Sequence, residues 1–153
     1  MKAIGYKTPG SIDSKEALMD IELESPKAQG QDLLVEVQAI SVNPVDYKIR
    51  QGRVPEENQY AVIGWDATGI VKEVGDQVSL FKVGDKVWYA GDITRSGSNA
   101  EFQLVDERIV GKMPASLAFA EAAALPLTTL TAWEMLFDRL EVAKDNSNNT
   151  AIP

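Results

Sequence analysis

Polar side chains suited to binding or catalysis cluster in the segment NPVDYKIR, residues 43–50. Asn43 carries a hydrogen-bond donor and an acceptor, and Lys48 carries a cation that could face a cofactor or a substrate oxyanion. Asn43 could instead cap a turn, and Lys48 could simply be solvated. Asp46 could orient a neighbour or pair with Arg50 four residues on, but its position favours a helix start.

The sequence contains no cysteine and no histidine. Disulfides, thiolate nucleophiles and cysteine-based zinc sites are therefore excluded, and carboxylates alone make a poor zinc site. The sequence predicts no metal site. The absence of cysteine also fits a reducing compartment, and we expect a cytoplasmic protein.

Composition indicates one folded domain with an acidic surface. The chain has 153 residues, of which 44% are hydrophobic, and this is enough to bury a core. A net charge of −8 without any lysine or arginine cluster argues against a nucleic-acid partner. No apolar stretch has the length of a signal peptide or of a membrane span, so no membrane partner is expected either.

Short apolar runs separated by turns predict strands over the first two-thirds of the chain. The clearest is DLLVEVQAISV, residues 32–42, where apolar and polar side chains alternate with the period of a half-buried strand. Glycine-aspartate pairs separate several of the other runs. The predicted strands cover residues 3–6, 32–42, 70–74, 86–90 and 100–105.

Helical patterns follow residue 114. SLAFAEAAALP predicts a helix capped by Ser116 and ended or kinked by Pro126. A second helix is predicted from an apolar stripe at spacings of three and four, with Thr131 and Glu134 as one alternative for its start. The stripe consists of Leu130, Trp133, Phe137 and Leu140.

The polar, asparagine-rich tail KDNSNNTAIP, residues 144–153, reads as a frayed end or a linker.

Four segments in order resemble the N-terminal half of the medium-chain dehydrogenase/reductase superfamily, in its zinc-type alcohol dehydrogenase-like and quinone oxidoreductase branch. They span nearly the whole chain and are MKAIGY, QDLLVEVQAISVNPVDYKIRQG, GWDATGIVKEVGDQVSLFKVGDKVWYAGD and GSNAEFQLVDERIVGKMPASLAFAEAAALPLTTLTAWEML. The resemblance implies a mainly β fold with a few helices, a GroES-like, partly open β-barrel, over residues 1–128. Residues 129–153 would be a helix and linker toward a Rossmann domain, whose G-x-G-x-x-G loop is absent from the sequence.

The resemblance implies the substrate-side domain of a zinc-free oxidoreductase that transfers hydride from NADP(H) to a small carbonyl, enone or quinone. This chain alone would then bind no cofactor and be inactive, and the parent could form a homodimer. The alternative is a stand-alone module that binds small apolar ligands or a protein through the cleft that a Rossmann domain would cover.

The same resemblance assigns candidate site residues. Zinc-dependent relatives use a cysteine where this chain has Ser41 and a His-Glu pair where it has Trp65-Asp66, so no zinc is expected. Trp65 could form the floor of a substrate pocket, or it could pack in the core. Lys48 takes the place of an active-site tyrosine of some quinone reductases.

The resemblance also places two residues near the cofactor. Asn43 would lie near the nicotinamide and could donate to a substrate carbonyl, and Thr131 would contact the nicotinamide end. Thr131 could instead cap a helix. Tyr47 is expected to pack against the barrel, and Trp133 is expected in the core.

Overall fold

Two antiparallel sheets form the scaffold of the chain. The structure, a computed structural model, describes residues 1–142. A three-stranded sheet has the order β2-β1-β4, and a five-stranded sheet has the order β7-β3-β5-β6-β8. The strands are β1 (Lys2–Tyr6), β2 (Met19–Glu22), β3 (Asp32–Ser41), β4 (Ala61–Val62), β5 (Asp66–Val74), β6 (Lys86–Ala90), β7 (Phe102–Asp106) and β8 (Val110–Lys112).

Helices are few and short in the described part of the chain. They are α1 (Pro44–Gly52), α2 (Phe119–Ala123) and α3 (Pro126–Trp133), with a 3-10 turn at Glu107–Ile109 and a π-helical segment at Glu134–Arg139. The sheets are open and do not close into a complete barrel. The prediction of a mainly β, partly open GroES-like fold is confirmed.

The main core lies on one face of the five-stranded sheet. Its buried side chains alternate along the strands, as the period-two pattern of β3 predicts. They are Leu33, Val35, Ala67, Val71, Val87, Tyr89 and Val105. A second cluster beneath α1 combines Tyr6, Ile63 and Trp65.

The two sheets are joined through β1 and the segment before β7. Ala3 bridges to Ala100, and the Ile4 amide donates to the Asn99 carbonyl at 2.8 Å. The Glu101 amide returns a hydrogen bond to the Lys2 carbonyl at 3.0 Å. The sheets therefore share a continuous hydrogen-bonded seam.

Four strand predictions match closely and one is too short. The expected strand at residues 70–74 is the second half of β5, which begins at Asp66. The polar and small residues at its start hide the strand pattern, although tertiary packing buries them completely. Strands β2, β4 and β8 were not predicted, because each has four residues or fewer and depends on its partner strand.

The predicted cap at Ser116 is wrong. Ser116 lies before the helix, and Ala118 is the capping position, where the Glu121 carboxylate accepts from the Ala118 amide at 2.8 Å. The predicted end of this helix before Pro126 is confirmed, since α2 ends at Ala123. Pro126 also opens α3, because a missing N–H costs nothing in a first helical position. The expected boundary at residue 128 thus falls within α3.

Thr131 and Glu134 do not form the capping box considered for the second helix, which begins at Pro126. Thr131 lies inside α3, and its hydroxyl donates to the Leu127 carbonyl at 3.0 Å. Trp133 is half exposed and its ring contacts Phe137 at 4.5 Å, so its predicted core position is wrong. Tyr47 is also half exposed rather than packed against the barrel.

The predicted linker at residues 144–153 lies outside the described residues. Within residues 1–142, no helix combines the length and the apolar character needed to cross a membrane.

Candidate functional site

A buried hydrogen-bond network connects the start of β5 with the first turns of α1 and α3. The side chain of Asp66 is completely buried at its centre. Its Oδ2 atom accepts from the Asn43 side-chain Nδ2 at 2.8 Å, and its Oδ1 atom accepts from the Leu127 backbone amide at 2.8 Å. One carboxylate therefore holds two helix starts that are far apart in sequence.

The start of α1 frees the Asn43 side chain for this role. Asn43 has an extended backbone in the capping position, but its side chain makes no capping hydrogen bond. The Asp46 carboxylate instead accepts from the Asn43 backbone amide at 2.7 Å. The helix-start interpretation of Asp46 is confirmed, and the Asn43 amide is left to reach Asp66.

The start of α3 needs an acceptor from elsewhere in the fold. Its capping residue, Leu125, has no polar side chain, and Pro126 has no amide hydrogen. The Leu127 amide is the next one in the first turn and requires a partner. Asp66 supplies the partner, and a carboxylate there also suits the positive end of the helix dipole.

Burial sets the electrostatics of the network. Burial raises the pKa of Asp66 above its ordinary value of 3.8, and the nearby Asp46 charge raises it further, against the hydrogen bonds from Asn43 and Leu127. Burial likewise raises the pKa of Asp46, against hydrogen bonds from backbone amides that include Asn43. The two acidic groups are thus held by dipoles rather than by a cation.

The network brings together two of the predicted site residues. Asn43 bonds to Asp66, which bonds to the Leu127 amide, and Thr131 donates to the carbonyl of that same Leu127. Asn43 is 9% exposed, whereas Thr131 is exposed. The two candidate cofactor-facing residues are therefore linked by a chain of hydrogen bonds through Asp66 and Leu127.

The other two predicted site residues lie apart from this network. Lys48 is exposed on α1, and its side chain makes no hydrogen bond to another described residue. Trp65 is 1% exposed, packs with Tyr6, and donates its indole N–H to the Asp92 carbonyl at 3.0 Å. This burial favours the core interpretation of Trp65.

Arg50 does not pair with Asp46. It is buried and donates to the Ala17 carbonyl at 3.1 Å and to the Gly10 carbonyl. Its role is to hold the β1–β2 loop against α1, so the alternative of an Asp46–Arg50 ion pair does not occur.

The residues in the zinc-ligand positions do not fit zinc. A catalytic zinc requires three protein ligands and an open position. Both oxygens of Asp66 are committed to N–H donors, Trp65 offers no lone pair, and Ser41 is paired to Asp66 through the backbone strands. Within residues 1–142, no group of three histidine, cysteine, aspartate or glutamate side chains could hold a metal.

A cavity of about 680 Å³ lies between α3 and the strands β6 and β8. None of the predicted site residues lines it. Its walls are mostly apolar and include Trp88, Asp92, Arg108, Ile109, Thr129 and Leu130.

Asp66 is the central residue that sequence reasoning did not place in the site. It was considered only as a replacement for a zinc ligand. A signal for its role exists in the sequence LPL at residues 125–127, since a helix that starts without its own cap needs a remote acceptor.

Comparison with known proteins gives a consistent picture. The family model for the alcohol dehydrogenase GroES-like domain matches residues 29–132. A zinc-type alcohol dehydrogenase-like protein of Staphylococcus epidermidis is 45% identical over 149 residues, covering 97% of this chain and 44% of that protein. The 2-methylene-furan-3-one reductase of Solanum lycopersicum is 38% identical over 146 residues, covering 89% of this chain and 37% of that protein. This chain therefore spans less than half the length of these curated relatives.

Solved structures share the fold. A protein of Rhizobium etli CFN 42, provisionally named a zinc-dependent alcohol dehydrogenase, matches with a TM-score of 0.90 and 57% identity, covering 97% of this chain and 43% of that one. The Escherichia coli quinone oxidoreductase complexed with NADPH matches with a TM-score of 0.75 and 28% identity, covering 89% of this chain and 40% of that one.

Proposed function

The chain belongs to the alcohol dehydrogenase GroES-like domain family of the medium-chain dehydrogenase/reductases, and from this we propose its activity. It is the substrate-side domain of a zinc-free, NADP(H)-dependent oxidoreductase that reduces small carbonyl, enone or quinone compounds. The observation that carries this proposal is the Asp66 network. Where zinc-dependent relatives would bind metal, this chain uses the carboxylate to hold Asn43 and the first turn of α3.

The relatives support the substrate class. One is named for the reduction of 2-methylene-furan-3-one, in which a carbon–carbon double bond is conjugated to a carbonyl, and another is a quinone oxidoreductase bound to NADPH. A bound dihydronicotinamide would supply the hydride, a chemistry that amino-acid side chains lack. Reduction of either substrate places negative charge on an oxygen, which a positioned cation or N–H group stabilises.

Asn43 and Thr131 are the residues that we propose to face the cofactor. Both present polar atoms at the ends of the Asp66 network, and the network fixes their relation. Lys48, exposed on α1, is the cation proposed to stabilise the substrate oxyanion. Trp65 acts from within the core, by fixing the chain immediately before Asp66, the first residue of β5.

The proposal extends to the whole protein, since this chain covers 44% of a curated relative. We propose a cytoplasmic enzyme, with a homodimer as its assembly. The 153 residues alone would bind no NADP(H) and show no turnover, because the Rossmann half of the family supplies the phosphate-binding loop.

The test compares this chain with a version extended along its natural reading frame. NADPH oxidation is measured with a cyclic enone and with a quinone, after dialysis against a chelator and with metal analysis. We expect turnover in the extended protein without bound zinc, and none in the 153-residue chain. Activity that follows added zinc, equal turnover by both proteins, or none in either would overturn the proposal.

The second candidate is a stand-alone binding module, favoured by the cavity of about 680 Å³ beside α3. Trp88 lines this cavity, so binding of a small aromatic ligand should change its fluorescence. A Trp65→Phe, Trp133→Phe variant isolates that signal. Saturable quenching by the 153-residue chain would favour the module, and no response up to ligand solubility would exclude it.

A further inference from the structure

We infer that Asp66 is a positioning residue that fixes which end of the Asn43 carboxamide faces a ligand, with the nitrogen held inward and the oxygen presented outward. Asn43 then recognises a hydrogen-bond donor on the ligand rather than a carbonyl acceptor. This inference rests on the proposed function for the identity of the ligand. The orientation itself rests only on the chain.

The chemistry of Asp66 determines the inward end. A carboxylate oxygen only accepts hydrogen bonds, so the atom at 2.8 Å from Asp66 Oδ2 must be the amide nitrogen of Asn43 and not its oxygen. A rotation of the amide by 180° would place two acceptors against each other in a buried site. Such an arrangement is strongly unfavourable, because both buried acceptors would lose their hydrogen bonds.

Asp66 cannot turn to accommodate a rotated amide. Its other oxygen holds the Leu127 amide at 2.8 Å, and its backbone lies in β5 between Ser41 and Ala90. The side chain is fully buried. Both ends of the carboxylate are therefore fixed before any ligand binds, as preorganised recognition requires.

The outward end of Asn43 is an acceptor without a partner. Among residues 1–142, no group donates to Asn43 Oδ1, and this atom is not among the fully buried unpartnered ones. The residue keeps 9% of its surface exposed. By contrast, Asp46 contacts the Asn43 backbone amide, so it holds the helix start and leaves the amide orientation to Asp66.

The ligand group must therefore carry an O–H or N–H. On the proposed function, this donor is a hydroxyl of the nicotinamide ribose or the N–H of the carboxamide. A cofactor analogue with an acetyl group in place of the carboxamide lacks that N–H and distinguishes the two sources.

The first experiment uses the 153-residue chain and nuclear magnetic resonance. In the wild type, one Asn43 side-chain N–H should exchange slowly and show scalar coupling to the Asp66 carboxylate carbon. Absence of this coupling overturns the inference without any variant.

Asp66→Asn tests the orientation directly. Its amide oxygen can keep the Leu127 hydrogen bond, so its NH₂ must face Asn43, and the Asn43 amide should rotate to accept. The Asn43 NH₂ group should then exchange rapidly while the Leu127 amide stays protected. Unchanged exchange of the Asn43 NH₂ group would contradict the inference. Asp20→Asn, the same change at an exposed position, is the control.

The second experiment uses the extended protein. Asp66→Asn should lower kcat/KM for NADPH by about tenfold, the equivalent of one lost hydrogen bond. The double variant Asn43→Asp, Asp66→Asn restores an oxygen outward at unchanged net charge and should recover most of the loss. A purely structural role predicts equal losses in both variants, with matching losses of thermal stability.

The exchange experiment and the kinetic experiment test the inference and the proposed function separately. If the extended protein does not oxidise NADPH, the proposed function fails while the exchange experiment still decides the orientation. If activity is present but the acetyl analogue and NADPH respond equally to Asp66→Asn, the donor is the ribose hydroxyl. If only NADPH responds, the donor is the carboxamide.

Discussion

At the residue scale, two buried carboxylates accept backbone amides from distant segments. Asp66 accepts a hydrogen bond from an amide of α3, and Glu107 accepts from an amide of the loop after β5. Glu107 is 2% exposed, and its oxygens lie 3.0 and 3.1 Å from the Ser79 amide and 2.7 Å from the Leu80 amide. Each carboxylate replaces water for amides that the fold has buried, so removing either leaves unpaired donors.

We expect Glu107→Ala to destabilise the fold by about 1–3 kcal/mol, because the Ser79 and Leu80 amides lose their acceptor. Urea denaturation followed by circular dichroism measures the change. Glu57→Ala removes an exposed glutamate and should change stability by less than about 0.5 kcal/mol. Equal effects of the two substitutions would contradict the capping role.

Asp66 also predicts a pH dependence. Its pKa is raised from 3.8 by burial, so the folded state holds this proton more tightly than the unfolded state does. The protonated Asp66 therefore contributes fully to stability below the pKa of this group in the unfolded chain. This contribution is lost as the pH rises through the higher pKa of the folded state. The neighbouring Asp46 acts in the same direction.

Asp66→Asn should consequently flatten the fall of unfolding free energy with pH above about pH 4. Urea denaturation at a series of pH values checks it, with Asp20→Asn as the matched control. The range above pH 4 avoids the titration of Asp106, whose pKa is lowered to about 2 by hydrogen bonds from Arg108. The contribution of Asp106 to the stability of the protein is lost only at more acidic pH. Identical slopes for wild type and Asp66→Asn would refute the assignment.

At the element scale, close approach of β3 and β5 depends on Gly69. A Cβ atom at this position would lie 2.3 Å from the Glu36 carbonyl oxygen and 2.4 Å from Val35 Cγ1. The register of the two strands shifts on either side of this point. The glycine is therefore required by contact and not by turn geometry. Gly64 is required by both, since its φ is 101° and a Cβ atom there would lie 2.5 Å from Asn99 Oδ1.

Gly69→Ala should destabilise the domain by roughly 1–3 kcal/mol through overpacking of the β3–β5 pair. Gly52→Ala is the matched control at the end of α1, where nothing lies within 4 Å of the added methyl. Alanine there should be neutral or stabilising by up to about 1 kcal/mol. Thermal unfolding of both variants decides between contact and a general loss of glycine flexibility.

At the whole-molecule scale, the seam between the sheets makes one cooperative unit. The small sheet contributes Tyr6 to the cluster that buries Trp65, and its β1 strand bonds to the segment at residues 99–101. The small sheet therefore buries its apolar side chains partly against residues outside it, including Ala100 and Trp65.

We therefore expect both sheets to unfold in one transition. A Trp88→Phe, Trp133→Phe variant leaves Trp65 as the fluorescence probe of the seam, and circular dichroism reports on all strands. The two denaturation curves should coincide. Separate midpoints would show that the sheets are independent.

Residue order and composition were enough to predict the fold class and the longest strands and to exclude cysteine and histidine chemistry. Alternation in β3 and the glycine-aspartate turns are local patterns, and local patterns are read directly from residue order. The polar residues of α1 were also recognised as a candidate site, including Asn43.

How those residues are used depends on contacts that form between distant parts of the folded chain. The Asp66 hydrogen bonds span 23 and 61 residues, so no local pattern predicts them. The same holds for Trp65, whose burial depends on Tyr6 from the first strand. Hydrogen bonds and burial in this site arise from elements that meet only after folding. Residue types alone therefore could not distinguish a site role from a structural role for Asn43 and Trp65.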